Sequence, residues 1–160
     1  MIHPRLVVCG TALILASGVA AGCGRRSGLD RAPAACTDGT ASARVAAVRD
    51  ALARAPAPVR LGDGTSISDC LAHDADSGDI QNVGSMLLTV TQQVEDSAHG
   101  RRDPRALLQL GYLAGAVHRG ASRAQGVDGE IERRIVQELA TMDTAAPAFE
   151  RGEQAGRASG

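Results

Sequence analysis

The segment DPRALLQLGYLAGAV, Asp103 to Val117, decides the fold. Asp103 followed by Pro104 is a helix start: the aspartate oxygen can accept a first-turn N–H, and proline at the first helical position gives up only a donor that would be unbonded anyway. From Ala106 to Val117 apolar residues cover nearly the whole circumference. A helix that is apolar all round has to be surrounded, and at about 12 residues this one is too short to cross a bilayer. It reads as the central helix of a bundle. Gly111 and Gly115, one turn apart, leave a smooth strip on it where a neighbouring backbone can approach closely, and Gly84 is the expected counterpart.

Flanking segments repeat the helical period. Val45, Val48 and Leu52 form a narrow stripe between Ala41 and Ala55, with Thr40 as N-cap and Pro56 and Pro58 as terminators. Ile80, Val83, Leu87, Val90 and Val94 keep one face apolar from Asp79 to Ala98, and Gly100 stops that helix. From Asp128, Ile131, Ile135, Leu139 and Met142 share a face while Glu130, Glu132, Arg133, Arg134 and Glu138 lie elsewhere. A short helix around Asp69 to His73 would carry Cys70, and residues 59–68 offer a tiny β-hairpin turning at Gly62-Asp63-Gly64. The expectation is an all-α fold: a small bundle of four to five helices over residues 40–142. Residues 23–39 read as a flexible linker and residues 143–160, which show no apolar period, as a disordered tail.

Composition narrows the function classes. The chain has 160 residues, 44% apolar but only 1% aromatic, with Tyr112, Phe149 and no Trp, which disfavours recognition by aromatic stacking. All 17 basic residues are Arg, so lysine-dependent chemistry such as the P-loop, Schiff bases and pyridoxal-phosphate attachment is excluded. A net charge of −1 gives no field that would gather nucleic acid.

At the N-terminus Arg5 precedes LVVCGTALILASGVAAG, an uncharged run from Leu6 to Gly22 that has the pattern of a secretory signal over residues 1–22. Its end, Ala20-Ala21-Gly22-Cys23, resembles the lipobox of bacterial lipoproteins, with Ala20 where the motif prefers Leu. The resemblance implies a diacylglycerol thioether on Cys23 and cleavage just before it, leaving a chain held at the extracytoplasmic face of the cell membrane. Ordinary cleavage after Ala21 and an uncleaved anchor are the alternatives. Lipidation of Cys23 resolves an odd cysteine count, because Cys9 leaves with the signal and Cys36 and Cys70 remain as a pair. Their disulfide would close a loop of about 35 residues, worth roughly 4 kcal/mol in the chain-entropy picture. The stretch from Asp103 to Ile135 also resembles secreted actinobacterial proteins with no known activity, which implies no functional residue.

Candidate chemistry is sparse. His73, Asp74 and Asp76 open a stretch similar to a calcium loop, but Gly78, Asp79 and Ser85 stand at its fifth, sixth and twelfth positions, where the loop needs a ligand, a glycine and a glutamate. His73, His99 and His118 show no zinc spacing, and His118 sits beside the central apolar stripe. Glu95 is the single glutamate on the two longest helices, too few for a di-iron bundle. There is no GxSxG or SxxK pattern and no CxxC pair. Arg101, Arg102 and Arg105, with Arg119 and Arg123, bracket the central helix and could meet anionic lipid headgroups or cell-wall polymers. The sequence thus gives no positive support for an enzyme or a cofactor. It points to a lipid-anchored helical binding or scaffold module with an envelope protein as partner. The alternative is a small envelope enzyme or metal-binding protein using His73, Asp74 and Asp76, or His118.

Overall fold

A computed structural model describes residues 31–71, 77–98, 103–123 and 127–160; the signal-like segment with Cys23 and the 72–76 stretch with His73, Asp74 and Asp76 lie outside them. The described residues form six α-helices and no strand: α1 (Ala34–Thr37), α2 (Ala41–Leu52), α3 (Ser77–Ser97), α4 (Pro104–Ala121), α5 (Val127–Glu138) and α6 (Pro147–Ser159). Two 3₁₀ turns, Ser68–Leu71 and Leu139–Thr141, complete the list. No helix among the described residues is long and apolar enough to cross a membrane.

The helix starts follow the expected chemistry. The Asp103 carboxylate accepts the backbone N–H groups of Arg105 and Ala106 at 2.8 and 2.9 Å, with Pro104 at the first helical position. The Thr40 hydroxyl accepts the N–H of Ala43 at 3.2 Å. The apolar stripes meet in one core: Val48 and Leu52 from α2, Val83, Leu87 and Val90 from α3, Leu107, Leu110 and Leu113 from α4, and Ile135 from α5. Each such side chain contributes about 1.5–3 kcal/mol when fully buried. α5 runs alongside α3, with Ile131 against Gly84 and Glu138 beside Gln92. Gly84 therefore faces α5 and not the α4 glycines.

The partner of Gly111 and Gly115 is α6, in the region expected to be a disordered tail. The two helices run parallel and pack more extensively than any other pair. A Cβ on Gly111 would overlap the carbonyl oxygen of Phe149, and one on Gly115 that of Glu153. Reciprocally, a Cβ on Gly152 would overlap the Leu108 carbonyl and one on Gly156 that of Tyr112. The helices thus touch backbone to backbone, in a geometry that favours Cα–H···O contacts. The tail expectation fails because this interface is built of glycines at every fourth position, which leave no apolar period to read. Arginines close the C-terminal turn of α6: Arg60 Nη1 donates to the Ser159 carbonyl at 2.8 Å, and Arg119 Nη1 donates to those of Arg157 and Ala158. Cations at a helix C-terminus are favoured by its dipole.

Two further expectations are corrected. Within the stretch 23–39 assigned to a linker, Ala32 is buried and α1 carries Cys36 into the core, where it is bonded to Cys70 with a Cα–Cα distance of 5.6 Å. The bond orders this stretch because Cys70 lies on the 3₁₀ turn packed against Gly120 of α4. Residues 59–68 form a closed loop rather than a hairpin. Leu61 N–H donates to the Thr65 carbonyl at 2.9 Å across a turn with Gly64 at φ 88°, while the N–H of Val59 is taken by the Tyr112 hydroxyl at 2.9 Å. With that donor bonded to a side chain, no strand ladder forms.

The glycine interface predicts opposite outcomes for the same substitution at two places. Alanine raises intrinsic helix propensity by up to about 1 kcal/mol over glycine. At Gly129 on α5 a Cβ meets open space, so Gly129→Ala raises the melting temperature. At Gly111 the propensity gain is outweighed by overpacking of roughly 1–3 kcal/mol, so Gly111→Ala lowers it. Thermal unfolding of the two variants checks the packing, and a melting temperature for Gly111→Ala at or above wild type would contradict it.

Candidate functional sites

His118 on α4 and Glu132 on α5 meet at 2.6 Å between Nδ1 and Oε1, both partly exposed. This is the one sequence-flagged histidine inside the described residues. The pair could orient a proton-accepting imidazole. No group of three His, Cys, Asp or Glu side chains able to hold a metal exists among the described residues, this pair included. One turn before Glu132, Asp128 is 4% exposed and its Oδ1 has no hydrogen-bond partner. Burial pushes its carboxyl above the usual aspartate range. Periodicity suggested a helix start here, yet nothing in the sequence marks Asp128 as buried.

Two of the arginines that bracket α4 are engaged by the fold. Arg119 caps α6 and Arg123 lies 3.7 Å from Asp69. Arg133 and Arg134 both bond Glu130, which holds that carboxyl below its usual range. Arg105 is exposed, and Arg101 and Arg102 lie outside the described residues.

Two clefts flank α3. One, of about 380 Å³, lies between α3 and α5 over Ile80, Leu88 and Ile131, with Arg134 and Glu130 paired at its edge. The other, of about 320 Å³, lies between α2 and α3. Val45 and Met86 form its floor and the small residues Ala41, Ala46 and Ser85 its walls. Among the described residues its only charged lining side chains are Arg44 and Arg49. Arg44 is held by Nη1 hydrogen bonds to the carbonyls of Thr37 at 2.9 Å and Gly39 at 2.6 Å, while its Nε is buried without a partner. Arg49 Nη1 reaches across the cleft to the Gln93 amide oxygen at 3.3 Å, an exposed contact. Helical spacing placed Val45 in the core but gave no sign of this cleft, because the divergence of two helices is a tertiary property.

At the far end of α3, Glu95 has a buried Oε1 with no hydrogen-bond partner. Burial first, then the negative charges of Glu138 and Asp96, pushes its carboxyl above the usual glutamate range. A folded-state value above the unfolded one favours folding most at pH below the unfolded value, and that contribution is lost as pH rises through the folded value. At neutral pH the ionised Glu95 therefore opposes folding. Glu95→Gln should raise the melting temperature at about pH 7 and lose that advantage near pH 4, where the wild-type carboxyl takes up its proton. Melting curves across that range measure it, and an equal effect at both ends would refute the assignment.

Compared with known proteins, the chain matches no family model, no curated protein and no solved structure, so the chemistry of its sites stands on its own residues.

Proposed function

We propose that the chain is a membrane-anchored bacterial lipoprotein that displays a small disulfide-stapled helical domain outside the cytoplasmic membrane as a binding or scaffold module. The observation that carries this reading is Ala20-Ala21-Gly22-Cys23 at the close of an uncharged apolar run. The Cys36–Cys70 disulfide supports it from a second direction. Disulfides persist in oxidising compartments, and with this pair closed Cys23 is the one thiol beyond the signal left to carry another group. Ala32 is already buried in the domain, nine residues after Cys23. At about 3.3–3.6 Å per residue that span keeps the domain within roughly 30 Å of the bilayer. Two acyl chains hold such a domain stably, since each buried methylene contributes about 0.8 kcal/mol. The cleft between α2 and α3 has Val45 and Met86 as an apolar floor, a surface of the kind a binding module presents.

Replacing Cys23 by Ser tests the anchor. The wild-type chain partitions into the membrane fraction and its intact mass includes a diacylglyceryl group; the variant is released, or is retained only as an uncleaved precursor of higher polypeptide mass. A Cys23→Ser protein that stays in the membrane at the wild-type mass would overturn the reading.

A further inference from the structure

We infer that the cleft between α2 and α3 is the docking groove of this module, and that its occupant is an amphipathic helix of a partner protein carrying carboxylates beside an apolar stripe. The inference rests on the binding-module reading above and specifies where that module binds and what it selects.

The shape of the groove suits a helix. On α2 its residues are Ser42, Val45, Ala46 and Arg49, and on α3 they recur from Asn82 through Met86 to Gln93, so each wall is one helical face. Small side chains at Ala41, Ala46 and Ser85 let a third helix lie close over Val45 and Met86. Apolar anchors at i, i+3, i+4 and i+7 are the usual way a helix fills such a surface. A volume of about 320 Å³ spread along two helices is a trough rather than an enclosed pocket.

The charge of the groove sets the sign of its partner. The chain as a whole is close to neutral, at −1, yet among the described residues the groove is lined by two arginines and no acid. Arg44 is fixed by two backbone carbonyls, so its positive charge is held in place before anything binds. Among the described residues it forms no ion pair that would neutralise it, and its buried Nε–H has no hydrogen-bond partner. Arg49 has only the 3.3 Å contact to Gln93, which a carboxylate can displace to form a charge-assisted pair with the guanidinium. An apolar floor with unneutralised cations at its margin complements an apolar stripe with acidic neighbours.

The test uses the full chain, purified from the envelope in a non-ionic detergent, and a pair of fluorescent synthetic helices. One carries Leu at i, i+3, i+4 and i+7 with flanking Glu, and the other has every Glu replaced by Lys. Fluorescence anisotropy should show the acidic peptide binding more tightly by about tenfold or more, a difference within the range of close interfacial charge pairs. Arg49→Glu should reverse that preference, and Ala46→Trp, which fills the groove from an exposed helix position, should weaken both peptides. Circular dichroism establishes that each variant is folded, and Arg49→Glu keeps the test decisive if Ala46→Trp is not. No binding, equal binding of the two peptides, or a preference unchanged in Arg49→Glu overturns the proposal. Arg49-dependent adsorption to phosphatidylglycerol vesicles without peptide preference also overturns it, in favour of a lipid surface. Intact mass reports the Cys23 lipid separately, so failure of the groove and failure of the anchor are distinguishable.

Discussion

The direct contact of the α4 and α6 backbones is the constraint on which the rest of the domain depends. Side chains normally hold packed helices about 8–10 Å apart. Here Gly111 and Gly115 face the carbonyls of Phe149 and Glu153, while Gly152 and Gly156 face those of Leu108 and Tyr112, so that spacer is missing from both sides. Each helix needs the other. α6 has 13 residues with two interior glycines, and a helix of that length and composition is marginal on its own. α4, apolar around nearly its whole circumference, would without α6 expose the one strip where its own backbone is bare.

Tyr112 ties this contact to the remainder of the fold. It is fully buried on α4, and its hydroxyl accepts the N–H of Val59 at 2.9 Å and meets Ser159 Oγ at 3.1 Å. One side chain thereby joins the central helix, the 59–68 loop and the end of α6. It is the chain's single tyrosine, and with no tryptophan present it is the largest fully buried side chain among the described residues. The Cys36–Cys70 bond performs the complementary tie at the other end of the loop. It joins α1 to the 3₁₀ turn that rests on Gly120, so the peptide leading from Cys23 enters the domain at a cross-linked point.

How much of this the sequence disclosed follows from what its patterns measure. Caps at Thr40 and Asp103, the stripes of α2, α3 and α5 and the encasement of α4 were legible, because side-chain periodicity reports side-chain burial directly. The glycines at 111 and 115 announced a close neighbour but could not say which one. α6 escaped because its packing surface is backbone, and a glycine row interleaved with Glu and Arg has the composition of a disordered tail. The order at Ala32 and Cys36 comes from a covalent bond to residue 70, which no local pattern contains. The hairpin at 59–68 failed for a similar reason: the decisive hydrogen bond to Val59 comes from Tyr112, far along the chain. Of the candidate sites, His118 could be flagged by type alone, whereas its pairing with Glu132, the burial of Asp128 and the cleft beside α2 all depend on helices meeting in space.

Small residues have two different consequences in this domain. Between α4 and α6, glycine rows stand on both helices and in the same fourfold step, so each backbone enters the other's gap and the seam closes. Between α2 and α3 the small residues Ala41, Ala46 and Ser85 are exposed and line an open cleft. The α2 stripe is narrow, and Val45, Val48 and Leu52 all turn toward the common core. The faces on either side of that stripe then diverge, and what remains above Val45 and Met86 is a trough with arginines at its margin. The open seam is thus the counterpart of the closed one: the bundle completes its core through α6 and leaves on α2 and α3 a surface shaped to take one more helix.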